Sequence, residues 1–513
     1  MKTEKIVVNI DEVRKRVNSP KEILEIGGTS LEQFKKSDLR NLEVSGLVSD
    51  SRRVSPGNAF FALSGLRTNG NDYVSEAVKR GAKVIVTDDK EVEVPSSVVK
   101  VHVKDARKTL AKYAKRYFGS PDQVLDIIGI TGTNGKTTVS SLTRHLLEEE
   151  GRPVGLIGTV RYHLGDREIP SFRTTPESPD LYSLLKNMLI GGCSEAVMEV
   201  SSHGIHQSRV EGLRLGVSVF LNLTRDHLDY HKTMEAYFNE KRKIFNGENG
   251  RIPEVAVING DCPYGQRLIN ELPPQVRVLT FGMNEENDFR ARNLDLKEDG
   301  AEFILEAPTG THVVTSPMLG RFNIFNLLAS LAIIHARKRS VPDSIRKVAA
   351  FEGVDGRMES VKGAKDYKVV VDYAHTPDAL RSALGMLREC TQGKLHVVFG
   401  CGGDRDRGKR MEMTRVACAG ADLIWATSDN PRTESQHKIF SDMKKGVTRD
   451  SKIQFVEDRR RAISMALDEA KEGDCVLIAG KGHEGFQEVH YTAIPFDDRK
   501  VATELLQIKA FGE

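Results

Sequence analysis

The sequence predicts an α/β protein of three domains built on largely parallel, doubly wound sheets. Three observations carry this. Short β-rich runs recur along the chain and most are followed by a helix-compatible segment. The polar outliers sit directly after those runs, where open parallel sheets bind ligands. The 513 residues exceed what one core usually holds. Breaks at 119–122 (GSPD) and near 353–357 (GVDGR) divide the chain into expected domains 1–121, 122–354 and 355–513.

Taken in order, the first domain holds AFFALSG (59–65), KVIVTD (83–88) and VKVHVKD (99–105). The second holds VLDIIGITG (124–132), PVGLIGTV (153–160), EAVMEVSS (195–202), VSVFLNLT (217–224), EVAVING (254–260) and VRVLTFG (276–282). The third holds YKVVVDYA (367–374), KLHVVFG (394–400), ADLIWATS (421–428), KIQFVED (452–458) and DCVLIAG (474–480). Each is short, apolar and rich in β-branched residues, the pattern of a buried strand. The first forty residues carry no convincing motif.

Composition narrows the function classes. The chain is 39% hydrophobic and 29% charged with a formal net charge of +3, too small an excess to argue for nucleic acid or membrane. The start, MKTEKIVVNIDEVRKR, has no apolar core, so no signal peptide is expected, and no run approaches the roughly 18 apolar residues of a spanning helix. Cys193, Cys262, Cys390, Cys401, Cys418 and Cys475 never form C-x-x-C, so reduced thiols are expected rather than zinc or disulfides. A cytoplasmic protein follows as the expectation.

GITGTNGKTT (129–138) follows one strand and opens a helix, the setting of a phosphate loop. Glycines let the backbone wrap an anion, helix-end amides bind it, Lys136 neutralises charge, and Thr137 offers a hydroxyl to Mg2+. The spacing is unusual, because Ile130 stands where the first Gly of G-x-x-x-x-G-K would fall; Gly132 and Gly135 supply the flexibility. ATP binding is predicted. Glu199, in MEVSSHG, ends the next strand but one and suits Mg2+ as a strand-end carboxylate. NLTRDHLDYH (222–231) gathers Asn, Arg, Asp and His within ten residues, and His227 beside Asp226 has the polar context of a metal or phosphate site. TSDNPRTE (427–434) poses a different question, since Asp-Asn-Pro makes a turn by geometry alone while Arg432 has no part in turn chemistry.

GTNGKTT (132–138), MEVSSHG (198–204), NLTRDHLDYH (222–231), LGRFNIFNLLASLA (319–332) and GRMESV (356–361) together resemble the Mur ligases of bacterial cell-wall synthesis. VDYAHTPDAL (371–380), FGCGGDRDRGKR (399–410), DNPRTE (429–434) and GKGHEGFQ (480–487) resemble the branch that adds the third stem-peptide residue. The resemblance implies a small N-terminal uridine-nucleotide domain containing SDSRRVSPG (49–57), a central P-loop ATPase-like domain, and a C-terminal Rossmann-like domain for the incoming amino acid. It implies ATP-driven amide formation: the D-glutamate γ-carboxylate of UDP-MurNAc-L-Ala-D-Glu attacks the γ-phosphate, and an amine then attacks the acyl phosphate. A monomer is expected.

Position by position, the resemblance implies that Gly132, Thr133, Asn134, Gly135, Lys136, Thr137 and Thr138 hold ATP. Asn323 and Asn326 fall on base contacts, and Arg357 and Asp372 on phosphate and ribose contacts. Glu199 and His227 fall on metal positions, and Lys241 where the family carries a carbamoylated lysine, although Lys241–Lys243 is by itself only a basic helix face. Thr174, Thr175, Ser201, Gln207 and Arg209 fall on contacts to the muramoyl dipeptide, and Ser51 on a uridine-side contact. Arg405, Asp429, Asn430, Pro431, Arg432, Gly480 and Glu484 fall on positions for meso-diaminopimelate. Departures from the family pattern are Arg173 before Thr-Thr, Lys232 after DYH, Asp355 before GRME and the loose TNGNDY (68–73).

Two alternatives differ in what they require. An L-lysine-adding relative needs no group for a distal carboxylate, whereas a guanidinium such as Arg432 takes one bidentately. A P-loop ATPase switch needs no second domain carrying Arg405, Arg432 and Glu484, and its phosphate release does not depend on an amino acid. DNPR and GKGHE argue against another cell-wall ligase or a folylpolyglutamate synthetase.

Overall fold

The computed structural model describes residues 6–7, 23–26, 43–65, 68–297, 300–364 and 366–512. Three sheets dominate. The largest has eleven strands, ordered Glu168–Pro170, Arg161–His163, Val154–Ile157, Glu195–Glu199, Asp126–Thr131, Val217–Phe220, Val255–Asn259, Arg277–Gly282, Phe289–Lys297, Gly300–Ala307 and Gly310–Ser316. Pairing is parallel from Val154–Ile157 through Phe289–Lys297 and antiparallel at both margins. The antiparallel ribbon over 289–316 alternates buried and exposed residues, and the sequence reading named none of its three strands.

The second sheet has six strands, ordered Glu359–Ser360, Lys368–Asp372, Cys475–Ala479, Leu395–Cys401, Leu423–Ser428 and Ile453–Phe455, all parallel except the short first edge. The third has five strands, Ile23–Ile26, Val99–Val103, Val84–Thr87, Ala59–Ala62 and Leu47–Val48, parallel apart from Ile23–Ile26. This is the mainly parallel three-domain α/β fold the sequence predicts. Among the described residues no helix is long and apolar enough to cross a membrane.

Chain reversals place the site. Asp126–Thr131 has the later strand Glu195–Glu199 on one side and Val217–Phe220 on the other, so the strand order reverses there and a crevice opens at its carboxyl end. The helix Lys136–Leu147 leaves from that point and buries Val139, Leu142, Leu146 and Leu147. Each such side chain contributes about 1.5–3 kcal/mol on burial, which pins the phosphate loop to the sheet. Beside it, Arg321–Ala336 is buried on nearly all sides, with Leu327, Leu328 and Leu331 among its core residues.

The second sheet docks at the same crevice. A Cβ on Gly320, at the start of Arg321–Ala336, would lie 2.2 Å from Met386 Cγ of the helix Pro377–Glu389. A Cβ on Gly356 would lie 2.1 Å from the backbone of Gly482. Asp355 pairs with Arg161 of the large sheet and with Arg499 of the final helix at 3.2 Å, so the residue that departs from the family pattern ties the two sheets together. Arg53 pairs with Asp180 at 3.0 Å, joining the five-stranded unit to the large sheet.

Candidate active site

The phosphate loop is fixed from both ends. Gly135 has φ +87°, a conformation that suits glycine, and a Cβ there would lie 2.4 Å from Asn326 Oδ1. Asn222 clamps the loop from the neighbouring strand: its Oδ1 accepts the Asn134 N–H at 2.9 Å, and its Nδ2 donates to Asn134 O at 3.1 Å. Thr133 Oγ1 accepts the Thr224 N–H at 3.0 Å. Thr138 continues the first turn of the helix. The sequence reading missed Asn222, although it lies in the quoted NLTRDH run.

Two lysines meet under the loop. Lys136 Nζ donates to Gly132 O at 2.8 Å and Thr133 O at 2.9 Å, and Lys241 Nζ donates to the same Gly132 O at 2.9 Å and to Thr131 Oγ1 at 3.3 Å. Burial holds the Lys136 pKa below its ordinary value; the Arg357 charge acts in the same direction, while Glu199 and Asp226 oppose it. Lys241 is 1% exposed, and burial first, then the Lys136 charge, pushes its pKa well down. It therefore carries a neutral, nucleophilic amine more readily than a surface lysine.

Glu199 is fully buried and held by hydroxyls and one amide. Thr137 Oγ1 donates to Oε2 at 3.1 Å, Thr159 Oγ1 to Oε2 at 2.9 Å, and the Thr159 N–H to Oε1 at 2.8 Å. No cation forms an ion pair with it among the described residues. Thr159 is a further residue that sequence reasoning missed; its only signal is a position at the end of the next strand. A cavity of about 370 Å³ opens here, lined by Thr137, Thr159, Glu199, Arg161, His163 and Asp355 among others. His227 is at φ +53° with its Nε2 3.4 Å from Asp226 Oδ2. Its ring packs edge-on against His203 at 4.7 Å, within a group that includes Tyr230 and His231. Burial, with His203 and His206 adding to it, holds the His231 pKa down at about 4.

The remaining central residues form a second cluster. Thr175 Oγ1 donates to Glu199 O at 3.0 Å and accepts the Ser201 N–H at 3.0 Å, while Thr174 Oγ1 lies 3.0 Å from Thr159 Oγ1. Arg209 donates to Thr175 O at 2.8 Å and Gln207 Oε1 at 2.6 Å. Asn326 Nδ2 donates to Asn323 Oδ1 at 2.9 Å, and Asn323 Nδ2 to Leu319 O at 2.9 Å. Ser51 is buried in the five-stranded unit, where its hydroxyl donates to Glu76 Oε2 at 2.9 Å.

The C-terminal sheet presents its own loops to this crevice. Asp372 accepts the Met358 and Ala374 N–H groups at 2.9 and 2.8 Å; burial pushes its pKa up, with Arg357 opposing. The Arg357 guanidinium lies over the Tyr373 ring, and its Nε is buried with no hydrogen-bond partner, as is His483 Nδ1. The unpaired buried Arg357 donor fits an anionic ligand such as a nucleotide phosphate.

Asp429, Asn430, Pro431 and Arg432 leave the strand Leu423–Ser428 as the sequence predicts, but the arginine is not a free probe. Arg432 Nε donates to Glu488 Oε2 at 2.8 Å and Nη1 to Gly403 O at 2.9 Å, leaving Nη2 for a ligand. Its φ of +51° is costly for a side-chain-bearing residue, and its main chain is held between the Glu488 carbonyl and the His490 N–H. A Cβ on Gly480 would lie 2.8 Å from Asp429 Oδ2, so the two loops interlock. Glu484 Oε2 accepts from Asn430 Nδ2 at 3.0 Å. Arg405 is exposed and, among the described residues, makes no hydrogen bond or ion pair.

Fold and site together define a three-domain P-loop protein whose phosphate loop faces a second loaded sheet edge across a domain junction. The chain belongs to the Mur ligase family. The model of the Mur ligase middle domain matches residues 130–334, that of the Mur ligase glutamate ligase domain 356–482, and that of the Mur ligase family catalytic domain 43–118. The UDP-N-acetylmuramoyl-L-alanyl-D-glutamate–2,6-diaminopimelate ligase of Listeria monocytogenes serotype 4b (strain F2365) is 40% identical over 472 residues, covering 91% of this chain and 95% of that protein. The ligase of the same description from Geobacillus kaustophilus (strain HTA426) is 43% identical over 470 residues, covering 90% and 94%. A solved structure of a UDP-N-acetylmuramoyl-L-alanyl-D-glutamate–2,6-diaminopimelate ligase aligns with TM-score 0.66 at 35% identity, covering 92% of this chain and 96% of that one. The Mycobacterium tuberculosis folylpolyglutamate synthase shares the fold at TM-score 0.58 and 18% identity, covering 79% and 95%.

Proposed function

We propose that this protein is the ATP-dependent ligase that joins meso-2,6-diaminopimelate to UDP-N-acetylmuramoyl-L-alanyl-D-glutamate in peptidoglycan synthesis. The observation that carries the reading is the interlocked pair of loops DNPR and GKGHE beside Arg357. Asn430, Arg432 and Glu484 give that pocket donors for a carboxylate and an acceptor for an ammonium, the two charges at the far end of diaminopimelate.

ATP is a substrate. A D-glutamate γ-carboxylate oxygen forms the new P–O bond and ADP leaves. The amine of diaminopimelate then attacks the acyl carbon, loses a proton, and phosphate departs. Two anions meet in the first step, so Lys136 and Arg357 serve to hold and screen the phosphates. Gly132 through Thr138 cradle them, Asn323 and Asn326 face the base, and Asp372 the ribose. Thr174, Thr175, Ser201, Gln207 and Arg209 bind the dipeptide arm, and Ser51 the uridine side.

Oxygen donors suit Mg2+, and a buried Glu199 without a cationic partner fits that ion. Thr137 and Glu199 would hold it, with His227 and a carbamoylated Lys241 completing the set; when bound, it would supply positive charge that offsets the anionic reactants. Lys241, which burial makes easier to deprotonate, attacks CO2 through its neutral amine form, forming an N–C bond and releasing a proton. Asp429, Pro431, Gly480 and Arg405 complete the amino-acid pocket.

The test is phosphate release with UDP-MurNAc-L-Ala-D-Glu against meso-diaminopimelate, L-lysine and L-ornithine. Release dependent on meso-diaminopimelate supports the reading. Equal turnover with L-lysine overturns the specificity, and release without any amino acid overturns the ligase.

A further inference from the structure

Lys481 is fully buried, yet it carries an ammonium into the amino-acid pocket. Its Nζ donates to Asn430 Oδ1 at 3.0 Å and to Glu484 Oε2 at 3.1 Å, and lies 5.9 Å from the centre of the Phe486 ring. Asn430 Oδ1 also accepts the Glu488 N–H at 2.9 Å. Two donors converging on one oxygen decide which way the amide faces: the oxygen points inward and Nδ2 outward. There Nδ2 donates one hydrogen to Glu484 Oε2 at 3.0 Å and keeps the other. Glu484 Oε2 is thereby doubly engaged.

We propose that Lys481 is a positioning residue that sets amino-acid specificity, orienting Asn430 as a donor and balancing the charge of Glu484. This rests on the function proposed above. Around the pocket Arg432 offsets Glu488 and Lys481 offsets Glu484. Without the Lys481 charge, the pocket is left with an excess carboxylate. A ligand whose far end is an ammonium alone is favoured by that excess. A ligand bringing a second carboxylate is repelled by it and also loses a fixed donor. Lys481 therefore acts on the ratio between the two substrates, whereas general loosening of the loop lowers turnover of both alike.

The experiment measures kcat/KM for meso-diaminopimelate and for L-lysine on the same preparation, with UDP-MurNAc-L-Ala-D-Glu and ATP saturating. In Lys481→Met the KM for meso-diaminopimelate is expected to rise about tenfold or more. The diaminopimelate-to-lysine ratio falls by a similar factor, and the KM for ATP stays unchanged. An inactive fraction cancels in the ratio. Lys481→Gln, which keeps an N–H for Asn430 but drops the charge, is read the same way if the Met variant does not fold, and must also show the fall. An unchanged ratio in the folded variant overturns the proposal while wild-type turnover of meso-diaminopimelate stands. Absence of that wild-type turnover overturns the parent function, and this proposal with it.

Discussion

Lys241→Met tests the chemistry under the phosphate loop most sharply. Lys241 and Lys136 both donate to Gly132 O, at 2.9 and 2.8 Å, so their Nζ atoms are near neighbours. With both groups protonated, two unit charges about 5 Å apart repel by about 3 kcal/mol at an effective dielectric of about 20, which adds to burial in driving Lys241 toward the neutral amine. A carbamate on Lys241 reverses the sign, a swing of about 6 kcal/mol before solvent screening. Met keeps the length and apolar stem while removing both the repulsion and the capacity for CO2. The apoprotein stripped of CO2 should therefore gain about 1–4 kcal/mol of stability in Lys241→Met, as when buried charges give way to apolar residues of similar volume. Its ligase rate should fall by about 10²-fold or more, the scale of losing one preorganised electrostatic group. The assay is phosphate release after exhaustive equilibration in CO2-free buffer, with and without added bicarbonate, beside thermal unfolding of both proteins. Wild type should slow without CO2 and recover with bicarbonate; the variant should respond to neither. A wild-type rate indifferent to CO2, or a variant at full rate, refutes the reasoning.

Arg432→Ala should raise the KM for meso-diaminopimelate about 10–100-fold, through loss of one charge-assisted contact, while the KM for ATP holds; initial-rate kinetics decide it, and loss of ATP binding as well would point to misfolding. Gly135→Ala places a Cβ 2.4 Å from Asn326 Oδ1 on a φ of +87°, so ATP affinity should drop at least about tenfold and stability by about 1–3 kcal/mol, read by titration and melting. Glu434 has its pKa lowered from 4.5 to about 2, chiefly by the buried Arg410 guanidinium. A depressed carboxylate stabilises the folded state above its unfolded pKa and loses that contribution as pH falls through the folded one, so wild type should weaken between about pH 4.5 and 2. Glu434→Gln should cost about 1–3 kcal/mol at neutral pH and flatten that part of the acid-unfolding profile.

Much of the catalytic face was legible from residue order alone. A Gly-rich run between an apolar strand and an amphipathic helix has few structural solutions, and Lys136, Thr137 and Glu199 meet in one of them. The antiparallel ribbon at 289–316 was not legible, because its half-exposed margin strands carry a weaker apolar signal than the buried parallel ones. Asn222, Thr159 and Lys481 escaped for a different reason. Asn222 and Thr159 each look like ordinary loop polarity until a distant backbone or carboxylate is brought against them.

By itself the sequence determined the α/β class, the parallel strands and the positions of the polar clusters, because period, turn chemistry and burial preference are local properties of the chain. Only the tertiary structure decided the electrostatics. That Lys241 is buried against Lys136, that Arg432 is already paired with Glu488, and that Lys481 turns the amide of Asn430 outward all depend on residues tens to hundreds of positions apart. Charge and hydrogen-bond energies are set by distance and dielectric, and both are properties of the folded packing.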